Sequence, residues 1–391
     1  MKILIISPDI PHSRVHFASG VMLYNTIAEI SKRHEVTLLS FIKHGEENLI
    51  RDIEQYCSNV YTVPFDRKLN LVSRGAYFLN TAPSQVSYYN CREMKQKVTE
   101  ITKSKKFDIM QIEQCPMAQY ADYASVPKKV LTLHDILSDL SRNDSAMDGS
   151  FLGTSRKYIS CKKAESYELK ILEKFDRIIT MSKRDTEVLS KKLPHKKFSV
   201  FPFWKELFVS RKNSTQGNGG YLLFNGNMER KDNIAAVKYF CDEIFPKILN
   251  KLPQTLFYVV GGHGTNQISG ISSNNNVIIK SFVDDIDELY NACSVVVAPV
   301  RGGGGIKFKI INALAAAKPT VTTLLGNEGI GGIPDKELMV ADNPDDFAEK
   351  VSTLLKHPEI GKEIGENGYK LFLKLFNSKK EEIESVLYSS L

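Results

Sequence analysis

Short runs of apolar residues recur along the chain, separated by longer stretches in which apolar positions return at helical spacing. That alternation marks βαβ units, whose parallel strands are covered on both faces and read as continuous apolar runs. The pattern predicts a first series of strands at residues 2–7, 36–41, 60–64, 109–113, 130–134, 177–181 and 198–202. A second series follows at residues 221–225, 256–261, 277–281, 295–299, 320–323 and 339–341. Between the two, residues 210–220 read SRKNSTQGNGG, polar and glycine-rich with no apolar period, as an inter-domain linker does. Beyond the second series, Leu371, Phe372, Leu375, Phe376, Ile383, Val386 and Leu387 recur at helical spacing and predict a C-terminal helix. The expected architecture is α/β, with two doubly wound domains of similar size. In such sheets ligands bind beyond the carboxyl ends of the strands, so the loops after the strands are where chemistry is sought, with a cleft between the domains as the default site.

Composition agrees with this and narrows the class. With 391 residues, 42% apolar and 25% charged, the chain can bury two cores, and neither disorder nor a disulfide scaffold fits. The six cysteines show no CxxC or other metal spacing, so no metal site is expected. The net charge of +7 is not spread evenly: residues 151–200 carry 13 positive and 6 negative charges, whereas residues 1–150 carry 18 and 17 and residues 201–391 carry 21 and 22. The excess lies within 156–197, as the pairs Arg156-Lys157, Lys162-Lys163, Lys183-Arg184, Lys191-Lys192 and Lys196-Lys197. No aromatic interleaving accompanies them, which argues against nucleic acid and leaves an anionic membrane surface, a lipid-diphosphate acceptor or an ordinary solvated face. After Lys2 the apolar run ends at Ser7-Pro8-Asp9, too early for a secretory signal, and no stretch approaches the ~18 apolar residues of a spanning helix. A cytoplasmic protein, peripheral at the inner face of the plasma membrane, is the corresponding expectation.

The strongest local signal is the run VVVAPVRGGGGIKFK at residues 295–309: a buried-type strand, four glycines, then a helix. Glycines let the backbone approach a ligand, helix N-terminal amides favour an anion, and Lys307 and Lys309 add positive charge. A phosphate-binding turn is the direct reading; a flexible connection with solvated lysines is the bland one. GxxxxGK[ST] is absent, and Gly302, Gly304 and Lys307 fail GxGxxG at its last position. The first strand is followed by Pro8-Asp9-Ile10-Pro11 rather than by glycines, which disfavours a nicotinamide binder.

These residues resemble the retaining glycosyltransferases of the group 1, or family 4, type with the GT-B fold, in which two Rossmann-like domains face one another across a cleft. The resemblance runs through Ser19-Gly20, Arg33-His34-Glu35-Val36, Phe107-Asp108, Leu133-His134-Asp135 and Phe224-Asn225-Gly226-Asn227-Met228. Its most specific stretch is residues 303–317 with Lys318-Pro319-Thr320-Val321, followed by Gly326-Asn327-Glu328-Gly329. It implies an acceptor domain at 1–205, a linker at 206–220, a nucleotide-sugar domain at 221–370, and a C-terminal helix at 371–391 packing back on the first domain. It also implies transfer of a sugar from a nucleotide diphosphate sugar to a saccharide or lipid-linked acceptor with retained configuration, no divalent metal and no cofactor. The leaving diphosphate would accept the acceptor proton, so no Ser/His/Asp constellation is required.

Carried over by position, Gly303, Gly304, Gly305 and Ile306 would offer amides to the diphosphate, and Lys307 and Lys309 would neutralise it. Asn312 stands where relatives have a glutamate that binds the ribose hydroxyls, and an amide lacks the charge-assisted acceptor. Ala317 replaces a frequent glycine. Gly226, Asn227, Arg230 and Lys231 would form a second loop on the phosphates, and Phe282 and Val283 the nucleobase pocket. His134 would face the donor sugar, with Asp135 orienting its ring or capping the next helix, and Gly20 would lie close to the diphosphate. Glu165 and Glu168, in a lysine-rich helix, read as a solvated face. The rival readings are a nucleotide-sugar epimerase of the same fold and a catalytically silent relative acting as a binding or scaffold protein.

Overall fold

A computed structural model describes the chain except for residues 14–17, 66–81, 145–150, 213–219, 262–267, 269, 271–273, 282, 284 and 390–391. The chain divides into two compact units: Met1–Pro202 with Lys379–Leu391, and Phe203–Ser378.

The first unit is built on a seven-stranded sheet in the order β3-β2-β1-β4-β5-β6-β7. Its strands are β1 (Lys2–Ser7), β2 (Glu35–Ile42), β3 (Asn59–Pro64), β4 (Ile109–Glu113), β5 (Lys128–Leu133), β6 (Arg177–Thr180) and β7 (Lys197–Val200), all pairing in parallel. Ile3, Leu4, Ile5 and Ile6 are fully buried, as continuous apolar strands between two helix layers must be. Every strand of the first predicted series is present, with ends shifted by at most two residues.

The second unit holds a six-stranded parallel sheet in the order β10-β9-β8-β11-β12-β13. These strands are β8 (Tyr221–Asn225), β9 (Leu256–Val260), β10 (Val277–Lys280), β11 (Val295–Ala298), β12 (Thr320–Thr322) and β13 (Met339–Val340). Both sheets therefore reverse direction of winding next to their first strand, between β1 and β4 in one and β8 and β11 in the other.

The boundaries differ from those expected. The first unit ends at Pro202 rather than 205, and Phe208 and Val209, expected in the linker, are buried in the second unit: Phe203 and Phe208 pack with Phe308, Phe372 and Phe376, ring centroids 5.1–5.9 Å apart. Arg211 pairs with Glu366 and lies 4.8 Å from the Tyr369 ring. The remaining part of the expected linker, 213–219, lies outside the described residues.

The C-terminal helix is likewise two helices. Pro358–Leu375 belongs to the second unit, where Gly361, Gly365 and Gly368 allow close approach; a Cβ on Gly365 would lie 2.2 Å from the Ala317 carbonyl oxygen. Glu382–Tyr388 packs instead on the first unit, burying Ile383, Leu387 and Tyr388. The polar run Asn377-Ser378-Lys379-Lys380 has no apolar side chain to continue the first helix, and the chain changes unit there.

Candidate functional site

In the second unit the winding reversal places the loops after β8 and β11 side by side, and this is where an open parallel sheet holds a ligand. Backbone approaches backbone at its floor. A Cβ on Gly261, at the end of β9, would sit 2.0 Å from the carbonyl oxygen of Gly226, so no side chain fits there. Gly226 is closed in turn by Asn233, whose Nδ2 donates to the Asn227 carbonyl at 2.8 Å.

The glycine loop lies on a charged pair. Asp232 accepts from Arg230 Nε at 3.0 Å and Nη2 at 2.9 Å. Gly303, at φ +83°, rests on this pair; a Cβ there would be 2.8 Å from Asp232 Oδ2. Lys309 Nζ donates to Asn233 Oδ1 at 2.5 Å and lies 4.4 Å from the centroid of the Phe224 ring. Lys307 Nζ donates to the carbonyls of Gly304 and Gly305. Thus Gly226, Asn227, Arg230, Gly303, Gly304, Gly305, Lys307 and Lys309 come together although two loops some seventy residues apart supply them.

Electrostatics follow from this crowding. Burial pushes the Lys309 ammonium down to about 7, with Asp232 opposing the shift and Arg230 and Lys307 adding to it. Burial alone would raise the Asp232 carboxyl, but Arg230, Lys309 and Lys307 outweigh it and hold the group below its ordinary range. An anion entering the crevice would replace internal partners of Lys307 and Lys309 rather than meet bare charges.

Other expected residues are placed differently. Asn312 Oδ1 accepts from the Val209 backbone N–H at 3.2 Å, so its carbonyl is engaged by a residue of the expected linker. Lys231 is the exposed first residue of the helix Lys231–Tyr239. Ile306 is half-buried in the glycine loop. Val283 packs on the apolar cluster around Val209, Tyr221 and Tyr290, and Phe282 lies outside the described residues.

The first unit presents a different crevice at its own reversal. His134 follows β5, and its Nε2 lies 2.9 Å from Glu113 Oε2 at the end of β4. Glu113, not Asp135, is therefore the ring's carboxylate partner. Gln114 follows with φ 70°, a left-handed conformation that turns the chain sharply into the 3-10 helix Cys115–Tyr123. Gly20 is buried in the first turn of the helix Ala18–Ile30.

Glu168 is a further correction: it is 1% exposed, not solvated. Its carboxylate accepts from the Leu137 N–H at 2.6 Å, filling the capping role at the start of the helix Leu137–Asp144 that was one of the two open to Asp135. Burial pushes it up to about 7 against the Leu137 and Ser138 amides, and Asp139 adds to the rise. Glu165 does keep to the surface, between Lys162 and Lys192.

The basic segment is partly neutralised in the same way. Lys174 pairs with Asp122, Lys196 with Glu173, and Arg184 with Asp139 and Asp185. The side chains of Arg156 and Lys157 lie outside the described residues. Among the described residues no helix is long and apolar enough to cross a membrane, and no three His, Cys, Asp or Glu side chains cluster to hold a metal.

Sequence reasoning missed Glu113, Gln111, Asp232 and Asn233. Gln111 and Glu113 carried a readable signal: two polar residues at i and i+2 inside a buried strand point to one face and must be hydrogen-bonded there.

Comparison with known proteins gives this geometry its context. The glycosyl transferases group 1 family model matches residues 219–357. An uncharacterized 44.6 kDa protein in the cps region of Klebsiella pneumoniae is 24% identical over 403 residues, spanning 97% of each chain. Sucrose-phosphate synthase from Thermosynechococcus elongatus superposes with a TM-score of 0.64 at 15% identity, covering 96% of this chain and 95% of that one. HepE of Anabaena, solved in complex with UDP-glucose, superposes with a TM-score of 0.62 at 15% identity over 96% of each chain.

Proposed function

We propose that the chain, which has the fold of GT-B structures and matches the glycosyl transferases group 1 family model over residues 219–357, moves a sugar from a nucleotide diphosphate sugar to a saccharide or lipid-linked acceptor in glycoconjugate assembly. The reaction retains the anomeric configuration and needs no divalent metal. The observation that carries this reading is the crevice of the second unit, where the glycine loop lies on Arg230 and Asp232 with Lys307 and Lys309 at its side.

There the diphosphate takes backbone amides of residues 303–306 and the charges of Lys307 and Lys309. Fixed donors and cations that meet the negative charge growing on the leaving group lower the barrier without reorganisation during the reaction. The departing diphosphate takes the acceptor proton. His134, in the first unit, serves the sugar. The UDP-glucose bound by HepE supports a nucleotide sugar as donor, and the cps-region location of the Klebsiella relative supports polysaccharide assembly. The proposal extends to an anionic leaflet, which the basic pairs of 156–197 would meet; binding to vesicles that ignores their anionic lipid content would remove that part of it.

The test is nucleotide release from a panel of UDP-, GDP- and ADP-sugars, with and without saccharide acceptors and with EDTA. Release is expected with one nucleotide class, to be accelerated by an acceptor, to persist in EDTA and to give a product of unchanged anomeric configuration by NMR. Release at the level without enzyme for every donor overturns the transferase reading, and interconversion of donors without acceptor establishes the epimerase. The engagement of Asn312 by Val209 favours one second reading, a silent nucleotide-binding protein. Tight UDP binding with no turnover would establish it.

A further inference from the structure

Three buried side chains of the first unit, Tyr388, Gln111 and Glu113, form one directed hydrogen-bond chain that ends on the partly buried His134. Tyr388 Oη, on the helix Glu382–Tyr388, donates to Gln111 Oε1. Gln111 Nε2 then donates to Glu113 Oε1 at 2.6 Å, and Glu113 Oε2 receives His134 Nε2 at 2.9 Å. Gln111 is 1% exposed and Glu113 2%, so neither is held by bulk water.

Each donor direction is forced. A carboxylate only accepts, so His134 must present Nε2–H, which in the neutral ring leaves Nδ1 as the free acceptor. Glu113 also fixes which end of the Gln111 amide faces it, because only Nε2 can donate; Oε1 is left for Tyr388. Burial, reinforced by Glu113 and Glu384, pushes the Tyr388 phenol far up, so it keeps its proton as donor. A buried carboxylate is tolerated only when such partners satisfy it.

The far end of the chain is anchored independently. The Arg177 guanidinium donates to the carbonyls of Ser385 and Val386, closing the end of the short helix, and Glu384 pairs with Arg33 at 2.9 Å. Ile383 and Leu387 are fully buried beneath it. This helix thus has a fixed seat, and its last residue reaches a side chain 277 positions earlier.

We propose that Glu113 is the positioning residue for His134, and that Tyr388, acting through Gln111, makes the C-terminal helix part of the device that fixes the tautomer and direction of the imidazole. This rests on the reading of His134 as a group that serves the donor sugar. The chain itself is testable without that reading.

The experiment uses the full-length protein labelled with 15N on histidine, as wild type, Glu113→Gln, Tyr388→Phe and, for assignment, His134→Ala. At a pH where the ring is neutral, its nitrogen shifts report the tautomer. Wild type is expected to show Nε2–H alone, Glu113→Gln a mixture of tautomers, and Tyr388→Phe a smaller displacement, with UDP binding within twofold in all. With the UDP-sugar that gives the fastest nucleotide release, kcat is expected to fall on the order of 100-fold in Glu113→Gln and about tenfold in Tyr388→Phe, at KM within twofold. A wild-type tautomer in both variants overturns the chain. A changed tautomer with kcat within twofold overturns the positioning role. Unchanged kcat in His134→Ala overturns the reading of His134 on which that role rests, and leaves the tautomer result to stand or fall by itself. Tyr388→Phe keeps the aromatic volume, so it still reports if Glu113→Gln folds poorly.

Discussion

The two units solve one problem, a crevice at the reversal of a doubly wound sheet, in opposite ways. In the second unit the crevice is made of backbone: Gly226, Gly261 and Gly303 bring three loops into contact, and cations fill what remains. In the first it is made of side chains, with His134 held through Glu113 and Gln111 by a helix from the other end of the chain. A backbone crevice with cations suits a diphosphate, which is recognised by charge and by amides and needs little directional precision. A crevice built on one imidazole needs direction, which buried hydrogen bonds supply.

The largest effect is expected from Gly261→Ala. If backbone contact sets the second crevice, one methyl forced against the Gly226 carbonyl should cost about 3 kcal/mol, read as a fall in the denaturation midpoint, and should weaken UDP binding with it. Next is Lys309→Met, which keeps the stem on Phe224 and removes the charge. UDP affinity is expected to fall on the order of 100-fold, about 3 kcal/mol, by calorimetry.

The same lysine gives a pH signature. Since burial holds it at about 7, binding an anion above that pH requires proton uptake, and UDP affinity should weaken up to about tenfold per unit as pH rises further. Lys309→Met should show no such slope; an identical slope in the variant would mean that another group titrates.

Glu168 sharpens the contrast from the first unit. Its carboxyl is raised on folding, so its stabilising contribution is complete below about pH 4.5 and is lost as pH climbs to about 7. Glu168→Gln, which can still accept from Leu137, should flatten that part of the stability curve and be more stable than wild type at pH 8, by up to roughly 3 kcal/mol. The smallest effect concerns backbone strain away from either crevice. Ala317 has φ 54°, so Ala317→Gly should raise stability by about 1 kcal/mol without changing UDP affinity.

Much of this molecule was legible in advance. All thirteen strands of the described residues were readable because parallel strands buried on both faces are continuous apolar runs. The glycine loop was readable because four glycines between a buried-type strand and a helix carry no side chain to keep the backbone from a close neighbour. Asp232 and Asn233 were not, since nothing local distinguishes an Asp-Asn pair at a helix start that closes a crevice from one that meets water. Glu168 was misread for a related reason: the charge pattern of its helix is the same whether the face is solvated or packed, and only its packing against Leu137 decides.

The two series of parallel strands and the place of the glycine loop were set within the sequence, because periodicity and glycine act over a few residues. Tertiary structure alone decided the strand order of each sheet, where the units divide, that Phe203, Phe208 and Val209 are buried, that Asn312 faces Val209, and that His134 answers to Glu113 and Tyr388. Those facts depend on which side chain meets which across tens to hundreds of residues, and burial and hydrogen-bond satisfaction select the partners only after the strands have been brought together.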